Sequence, residues 1–135
     1  MDHTQVSICM KSNLNNEDSV YEYQGRYRQK GNIHCITYTD RQEDAETKVR
    51  IDAGPGSMVL LRAGAVRTRM LFDPQEDTSV SYEIGGFRTS FILHTKVYEL
   101  KILSSGIWIH LEYSLREENG SPVSSALQDL QIEFR

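Results

Sequence analysis

The sequence predicts a single all-β domain spanning residues 1–135, a closed antiparallel up-and-down β-barrel of about eight to ten strands. Apolar and polar residues alternate with a period of two along most of the chain, which is typical of strands with one buried face. Glycine-containing turns interrupt this alternation at short intervals, and no segment has the periodicity of a long helix. Because sequential hairpins leave unpaired strand edges, closing the sheet on itself is the direct way to remove them. A two-sheet sandwich is the alternative architecture.

Turn residues divide the chain into eleven strand-like runs, and we expect one neighbouring pair of runs to form a single bent strand. The turns include Gly54-Pro55-Gly56, Ala63-Gly64, Gly85-Gly86 and Asn119-Gly120, because glycine adopts positive φ at little steric cost. The polar segment Asp40 to Glu46 is predicted to be a loop with one helical turn. The predicted strands cover residues 5–13, 19–29, 32–40, 46–53, 57–63, 66–73, 78–84, 87–95, 97–103, 107–117 and 124–134.

The clearest alternation runs from Ile107 to Arg116, where every second residue is apolar or aromatic and predicts an inner face. The same alternation assigns most aromatic side chains to inner faces, and two interpretations follow. They form a plain core, because aromatic side chains dominate burial in small β domains, or several tyrosines line a pocket and direct their hydroxyls at a polar ligand. These aromatic residues are Tyr21, Tyr23, Tyr27, Phe72, Tyr82, Phe87, Phe91, Tyr98 and Tyr113, of which Tyr21, Tyr23, Tyr82 and Tyr113 are the candidate ligand-binding residues.

The composition limits the partners. With 15 basic and 19 acidic residues the net charge is −4, and we expect no nucleic-acid partner because phosphates require a basic field. The N-terminal residues lack the basic and then apolar order of a signal peptide, and no run approaches the ~18 apolar residues of a membrane span. A cytoplasmic protein without membrane contact is therefore expected. Cys9 and Cys35 lie in apolar runs without zinc-type spacing and are expected to be buried, reduced thiols.

Motifs for catalysis, metal binding or a cofactor are not found in the sequence. His3, His34, His94 and His110 are isolated from one another, and no GxSxG elbow or phosphate-binding loop is present. By alternation His94 and His110 fall on the polar faces of their strands, as ordinary surface or barrel-wall histidines. We predict no catalytic residue, no metal ligand and no cofactor, and an enzyme is the least supported class because no nucleophile, base and orienting group can be nominated together.

Arginine is the most distinctive polar residue type. Arg62, Arg67 and Arg69 stand close together around one tight hairpin, and Arg88 follows on a neighbouring strand. Arg67 and Arg69 share one face of their strand, which favours a solvated outer face. The functional alternative is that Arg62 and its neighbours bind an anionic group at the barrel mouth, because guanidinium groups hold carboxylates and phosphates through paired hydrogen bonds.

From Leu60 the sequence reads LLRAGAVRTRMLF, followed by SYEIGGFRTSFILHT, HLEYSL and finally LQDLQIEF. In their order along nearly the whole chain these segments resemble the YwiB-like family, an uncharacterised group of small bacterial proteins. The resemblance implies a lipocalin-like, calycin-type β-barrel and implies no activity. One departure concerns Glu83 to Gly86, where the family usually has a threonine-proline-phenylalanine-glycine turn. A shorter turn is expected here, so the register between Tyr82 and Phe91 need not follow that of the family.

Two non-enzymatic functions remain open. The first is a binding protein that holds a small, partly apolar or anionic molecule in the barrel or at its mouth. The second is an interaction module that docks another protein, or forms a homodimer, through an outer sheet face or edge. The analogy with lipocalins favours the first, although fold alone does not determine function.

Overall fold

A computed structural model describes residues 4–42 and 45–135, and every regular element in this part of the chain is a β-strand. None of the described residues belongs to a helix that is long and apolar enough to cross a membrane. The strands are β1 (Thr4–Leu14), β2 (Glu17–Lys30), β3 (Ile33–Gln42), β4 (Ala45–Ala53), β5 (Met58–Gly64), β6 (Val66–Phe72), β7 (Thr78–Ile84), β8 (Phe87–Leu103), β9 (Gly106–Arg116) and β10 (Pro122–Phe134).

The ten strands form one closed antiparallel barrel in which each strand pairs with its neighbours in sequence. The first and last strands complete the ring, with a continuous register from Val6 opposite Phe134 to Leu14 opposite Ala126. The predicted closed barrel is thus confirmed, and pairing between β1 and β10 leaves no free edge on either strand. The connections after β1, β5, β7 and β9 lie at one end of the barrel, which we call the mouth.

One strand prediction is confirmed and another is wrong. The runs 87–95 and 97–103 form the single strand β8, bent by an irregularity between Thr95 and Val97, as expected for one neighbouring pair. The loop predicted from Asp40 to Glu46 is wrong in its described part, because β3 continues through Gln42 and β4 begins at Ala45. Residues 43 and 44 lie outside the described residues. Hydrogen bonding between the two long strands overrides the polar composition that indicated a loop.

The interior below the mouth is filled by apolar side chains from all parts of the barrel. Alternation on β9 is as predicted, since Ile107, Ile109 and Leu111 are buried. Packing of this kind excludes water and supplies the main favourable free energy of folding. The largest fully buried apolar side chains are Val6, Ile36, Ile51, Met58, Phe72, Val80, Leu93, Ile107, Ile109, Leu111 and Ile132.

Aromatic side chains cover the end opposite the mouth. The Tyr98 hydroxyl donates a 2.6 Å hydrogen bond to the carbonyl oxygen of Gly54 and ties β8 to the turn after β4. The Tyr27 ring packs 5.1 Å from that of Phe134, and its hydroxyl lies 2.7 Å from Nδ1 of His34. This end is therefore occupied by protein, and any solvent-open interior lies at the mouth.

Three predictions of burial are wrong. Phe87 is 83% exposed because it sits at the tip of the β7–β8 hairpin, opposite Ile84 and beyond the barrel wall. A two-residue turn, Gly85-Gly86, forms this tip with positive φ at both positions, the conformation that tight hairpins favour. Cys9 and Cys35 are free thiols, as predicted, but are only half-buried because alternation turns them to the outer face.

Candidate functional site

A cavity of about 460 Å³ opens at the mouth between the ends of the strands. Its wall combines aromatic rings, apolar side chains and a few polar groups, the mixture that small-molecule sites commonly have. The polar groups arise because inward positions near the mouth carry tyrosine, arginine, aspartate and threonine, whereas the same faces deeper in the barrel carry aliphatic residues. The lining side chains with functional groups include Tyr21, Tyr23, Tyr38, Asp40, Arg62, Tyr82 and Tyr113.

Arg62 is the cationic group of this cavity. It follows Met58 and Leu60 on the inner face of β5, and it lies opposite Val49 on β4 and Thr68 on β6. Gly64 ends the strand where a β-carbon would overlap the carbonyl oxygen of Glu46, so glycine allows the hairpin to lie close against β4. Arg62 is thus held at the last inward position before the turn, half-buried and facing the cavity.

Tyrosine rings form much of the cavity wall. The rings of Tyr23 and Tyr38 stack with centroids 4.3 Å apart, and Tyr21 continues the stack 6.4 Å from Tyr23. On the other side Tyr82 packs edge-on against Phe91, with centroids 5.8 Å apart. All four tyrosines predicted as ligand-binding residues therefore line one cavity, where Tyr113 joins the other three.

The hydroxyls of four cavity tyrosines, Tyr23, Tyr38, Tyr82 and Tyr113, are protonated at neutral pH. Burial raises the pKa of Tyr38 and of Tyr113 to about 12, and it also raises the pKa of Tyr23 and Tyr82. In each case the nearby charge of Arg62 opposes the rise, which places the guanidinium within electrostatic reach of all four hydroxyls. The cavity thus offers neutral hydrogen-bond donors beside one cation, Arg62, and one carboxylate, Asp40.

Two buried threonines stand beside this cavity. Thr68 lies opposite both Arg62 and Tyr82, and Thr95 lies opposite Tyr113. Their side-chain hydroxyls are buried and have no hydrogen-bond partner among the described residues. A buried hydroxyl without a partner costs free energy, so two uncompensated polar groups adjoin the cavity.

The other three candidate arginines lie elsewhere. Arg67 and Arg69 share a face, as predicted, but this is the outer face of β6 and both are exposed. Arg88 is also exposed and pairs with Glu83 at 3.6 Å. The outer face favoured for Arg67 and Arg69 is observed, and the alternative, convergence with Arg62, is not, because alternation on β6 turns both away from the interior and the inward position opposite Arg62 belongs to Thr68.

Sequence reasoning missed Tyr38 and Asp40. Both share the alternation of the buried residue Ile36 on β3, so the signal was present in the sequence. Asp40 stands where the predicted strand 32–40 ends and the predicted polar loop begins, so its composition does not mark it as an inner-face residue. Its charge contributes to raising the pKa of Tyr23 and Tyr38, and it therefore lies near the tyrosine stack.

The described histidines occupy three separate places. His34 is buried beside Tyr27 at the far end of the barrel, where burial lowers its pKa. His94 hydrogen-bonds Asp77 at 2.8 Å on the outer wall, and His110 contacts two carboxylates on another part of that wall. Within residues 4–42 and 45–135 no group of His, Cys, Asp and Glu is arranged to hold a metal ion. His3 lies outside the described residues.

Comparisons with known proteins identify a family and a solved structure of similar fold, and neither gives an activity. A family model described as "Domain of unknown function (DUF1934)" matches residues 5–128. A crystal structure of the ywiB protein from Bacillus subtilis is similar, with a TM-score of 0.83 and 18% sequence identity over 98% of this chain and 93% of that one. No curated protein sequence matches the chain.

Proposed function

The chain belongs to the family of domains of unknown function DUF1934, and from the geometry of its mouth we propose that it binds a small, anionic and partly apolar molecule there. The observation that carries this proposal is the position of Arg62, a half-buried cation inside the cavity. Among the described residues, no ion pair or hydrogen bond engages its guanidinium group. A carboxylate, sulfonate or phosphate can therefore accept paired hydrogen bonds from it.

The rest of the cavity supports a ligand with an apolar body. The rings of Tyr23 and Tyr38 and the side chains of Met10, Val66 and Leu115 offer apolar surface close to the cation. A volume of about 460 Å³ lies within the ~300–1,000 Å³ of small-molecule sites. The protonated tyrosine hydroxyls supply additional donors for the oxygens of an anionic group.

The proposal is tested with anilinonaphthalene sulfonate, a fluorescent probe that joins an anionic group to an aromatic body. Titration of the wild-type protein is expected to show saturable fluorescence enhancement. Arg62→Ala is expected to weaken this binding about tenfold, the loss that accompanies removal of one charge-assisted contact of ~1.4 kcal/mol. Arg62→Lys keeps the positive charge but loses the paired hydrogen-bond donors of the guanidinium group, and it is expected to give an intermediate affinity.

Arg67→Ala is the matched control, since it removes the same charge from the outer face of the next strand. It is expected to leave the affinity of the probe unchanged. Circular dichroism of each variant verifies that the barrel is intact. Equal affinity of the wild-type and Arg62→Ala proteins would rule out the proposed site.

A second candidate function, self-association, rests on one observation. Ile84 and Phe87 face one another at the β7–β8 tip and are 54% and 83% exposed. Paired exposed apolar side chains are typical of contact surfaces. Sedimentation velocity over a range of concentrations tests this function, with a dimer expected for the wild type and a monomer for Phe87→Ser. A wild-type monomer at all concentrations would exclude it.

A further inference from the structure

The outer surface of β2 to β5 contains a groove of about 910 Å³, which shares Tyr23 and Tyr38 with the interior cavity. Its rim is formed mainly by outward-facing residues of these four strands, and the inward-facing residues Tyr23, Tyr38 and Val49 also line it. Thr37 lies between Arg26 of β2 and Arg50 of β4 in the strand register, and Thr39 lies beside Lys48. Short side chains at the centre and long basic ones at the sides produce the groove.

The groove is strongly basic although the whole chain carries a net charge of −4. Glu22 is the one acidic residue among the described side chains that line it. Two of the cations are partly neutralised, since Arg41 lies 3.5 Å from Glu46 and Arg50 lies 3.1 Å from Asp52. The basic residues that line the groove are Arg26, Arg41, Lys48, Arg50 and Arg135.

The spacing of these cations fits a ligand that carries several adjacent negative charges. Arg26 and Arg50 are two strands apart, a backbone separation of ~10 Å that two flexible arginine side chains can span from both sides. Lys48 follows Arg50 on the same face of β4. A single carboxylate or monophosphate engages one or two of these groups, whereas a chain of phosphates engages all of them.

Other polyanions fit the groove less well. Residues 17–24 of β2 pair with β1 but not with β3, and a peptide strand added there would satisfy backbone groups and not the basic side chains. A single-stranded nucleic acid requires aromatic faces for stacking. The two tyrosines at the groove, Tyr23 and Tyr38, stack on each other and also line the interior cavity.

We propose that this outer groove binds an oligophosphate, an unbranched chain of phosphate groups, through Arg26, Lys48 and Arg50. The guanidinium groups pair with phosphate oxygens, and the lysine adds a mobile point charge. The threonine hydroxyls at the centre of the groove supply neutral donors.

Isothermal titration of the full chain with inorganic tripolyphosphate at low ionic strength tests this site. One saturable event is expected, weaker in higher salt because exposed charges are screened. Inorganic monophosphate is expected to bind at least tenfold more weakly. Arg26→Ala and Lys48→Ala are each expected to weaken tripolyphosphate binding about tenfold, and both residues are exposed, so neither variant disturbs the core.

Lys101→Ala, on the outer face of β8, is the matched control for loss of one positive charge, and Arg62→Ala is the control for the mouth. Both are expected to bind tripolyphosphate as the wild type does. The proposal is overturned by an absence of saturable heat, or by unchanged affinity in Arg26→Ala and Lys48→Ala. It is equally overturned by a loss in Lys101→Ala as large as theirs, or by loss of binding in Arg62→Ala, which would assign the anion to the mouth.

Discussion

Thr68 lies directly opposite Arg62 in the register of β5 and β6, and its buried hydroxyl oxygen has no hydrogen-bond partner among the described residues. Thr78, at the start of the neighbouring strand β7, has a satisfied hydroxyl. It donates a 2.8 Å hydrogen bond to the carbonyl oxygen of Leu71. These two threonines therefore form a matched pair for measuring the free-energy cost of an unsatisfied hydroxyl.

Thr68→Val is expected to leave the free energy of unfolding unchanged or to raise it by up to about 1 kcal/mol. The substitution removes a buried hydroxyl that lacks a partner and keeps the shape of the side chain. Thr78→Val is expected to lower the free energy of unfolding by about 1 kcal/mol, because it leaves a carbonyl oxygen without its donor. Urea denaturation of both variants gives the two values. A loss of stability in Thr68→Val as large as that in Thr78→Val would contradict this assignment of the hydroxyl.

The barrel could be predicted because its signal is repeated along the whole chain. The strict alternation from Ile107 to Leu115 fixes one buried face, and glycine pairs such as Gly85-Gly86 fix the turns between strands. The strand state of Arg41, Gln42 and Ala45 could not be predicted, since it depends on pairing with a partner and not on their own composition.

The site was predictable only in part. The four tyrosines followed from alternation, and so did the outer position of Arg67 and Arg69, but Arg62 could not be assigned to a face because both faces of β5 carry apolar residues. Arg62 and Arg67 are separated by Ala63, Gly64, Ala65 and Val66, and the tight turn puts them on opposite sides of the barrel wall. The outer basic groove combines residues from β2 to β5, so its charge becomes visible only when the strands are placed in register.

Gly106→Ala is expected to lower the free energy of unfolding by about 1–3 kcal/mol, whereas Gly56→Ala is expected to have almost no effect. A β-carbon at Gly106 would overlap the carbonyl oxygen of Ile132 on the neighbouring strand, so the backbone must move to admit it. A β-carbon at Gly56 meets no atom within 4 Å. Thermal and urea unfolding of the two variants measure the contrast. Equal stabilities would show that β9 and β10 can separate without loss of free energy.

Leu111→Ala is expected to lower the free energy of unfolding by about 2–5 kcal/mol, because the leucine side chain is fully buried in the barrel and its truncation leaves a cavity. Leu127 on the adjacent strand is 42% exposed, and Leu127→Ala is expected to cost less than about 1 kcal/mol. The comparison is made by urea denaturation at constant pH. A small effect at Leu111 would mean that the interior is not packed at that level of the barrel.

His110 links the stability of the barrel to pH. Its Nδ1 lies 2.8 Å from Asp129 and its Nε2 lies 2.9 Å from Glu112, while Glu99 stands opposite it on β8. Burial lowers the pKa of His110, but the hydrogen bonds and charges of the two carboxylates outweigh this effect and raise the pKa above its ordinary value. The imidazolium form donates to both carboxylates at once, with Trp108 stacked 5.7 Å away.

A raised pKa in the folded state means that the stabilisation is fully present below about pH 6.5, the pKa of an unfolded histidine, and is lost as the pH rises through the folded value. His110→Gln is therefore expected to be less stable than the wild type at pH 5.5 and to approach it at pH 8.5. His34→Gln provides the contrast, because burial lowers the pKa of His34. The stability that its neutral imidazole contributes is therefore present above about pH 6.5 and is lost as the pH falls below that value. Urea denaturation at both pH values measures the two differences. A stability gap between the wild type and His110→Gln that stays constant or widens with rising pH would show that the two carboxylates do not stabilise the imidazolium.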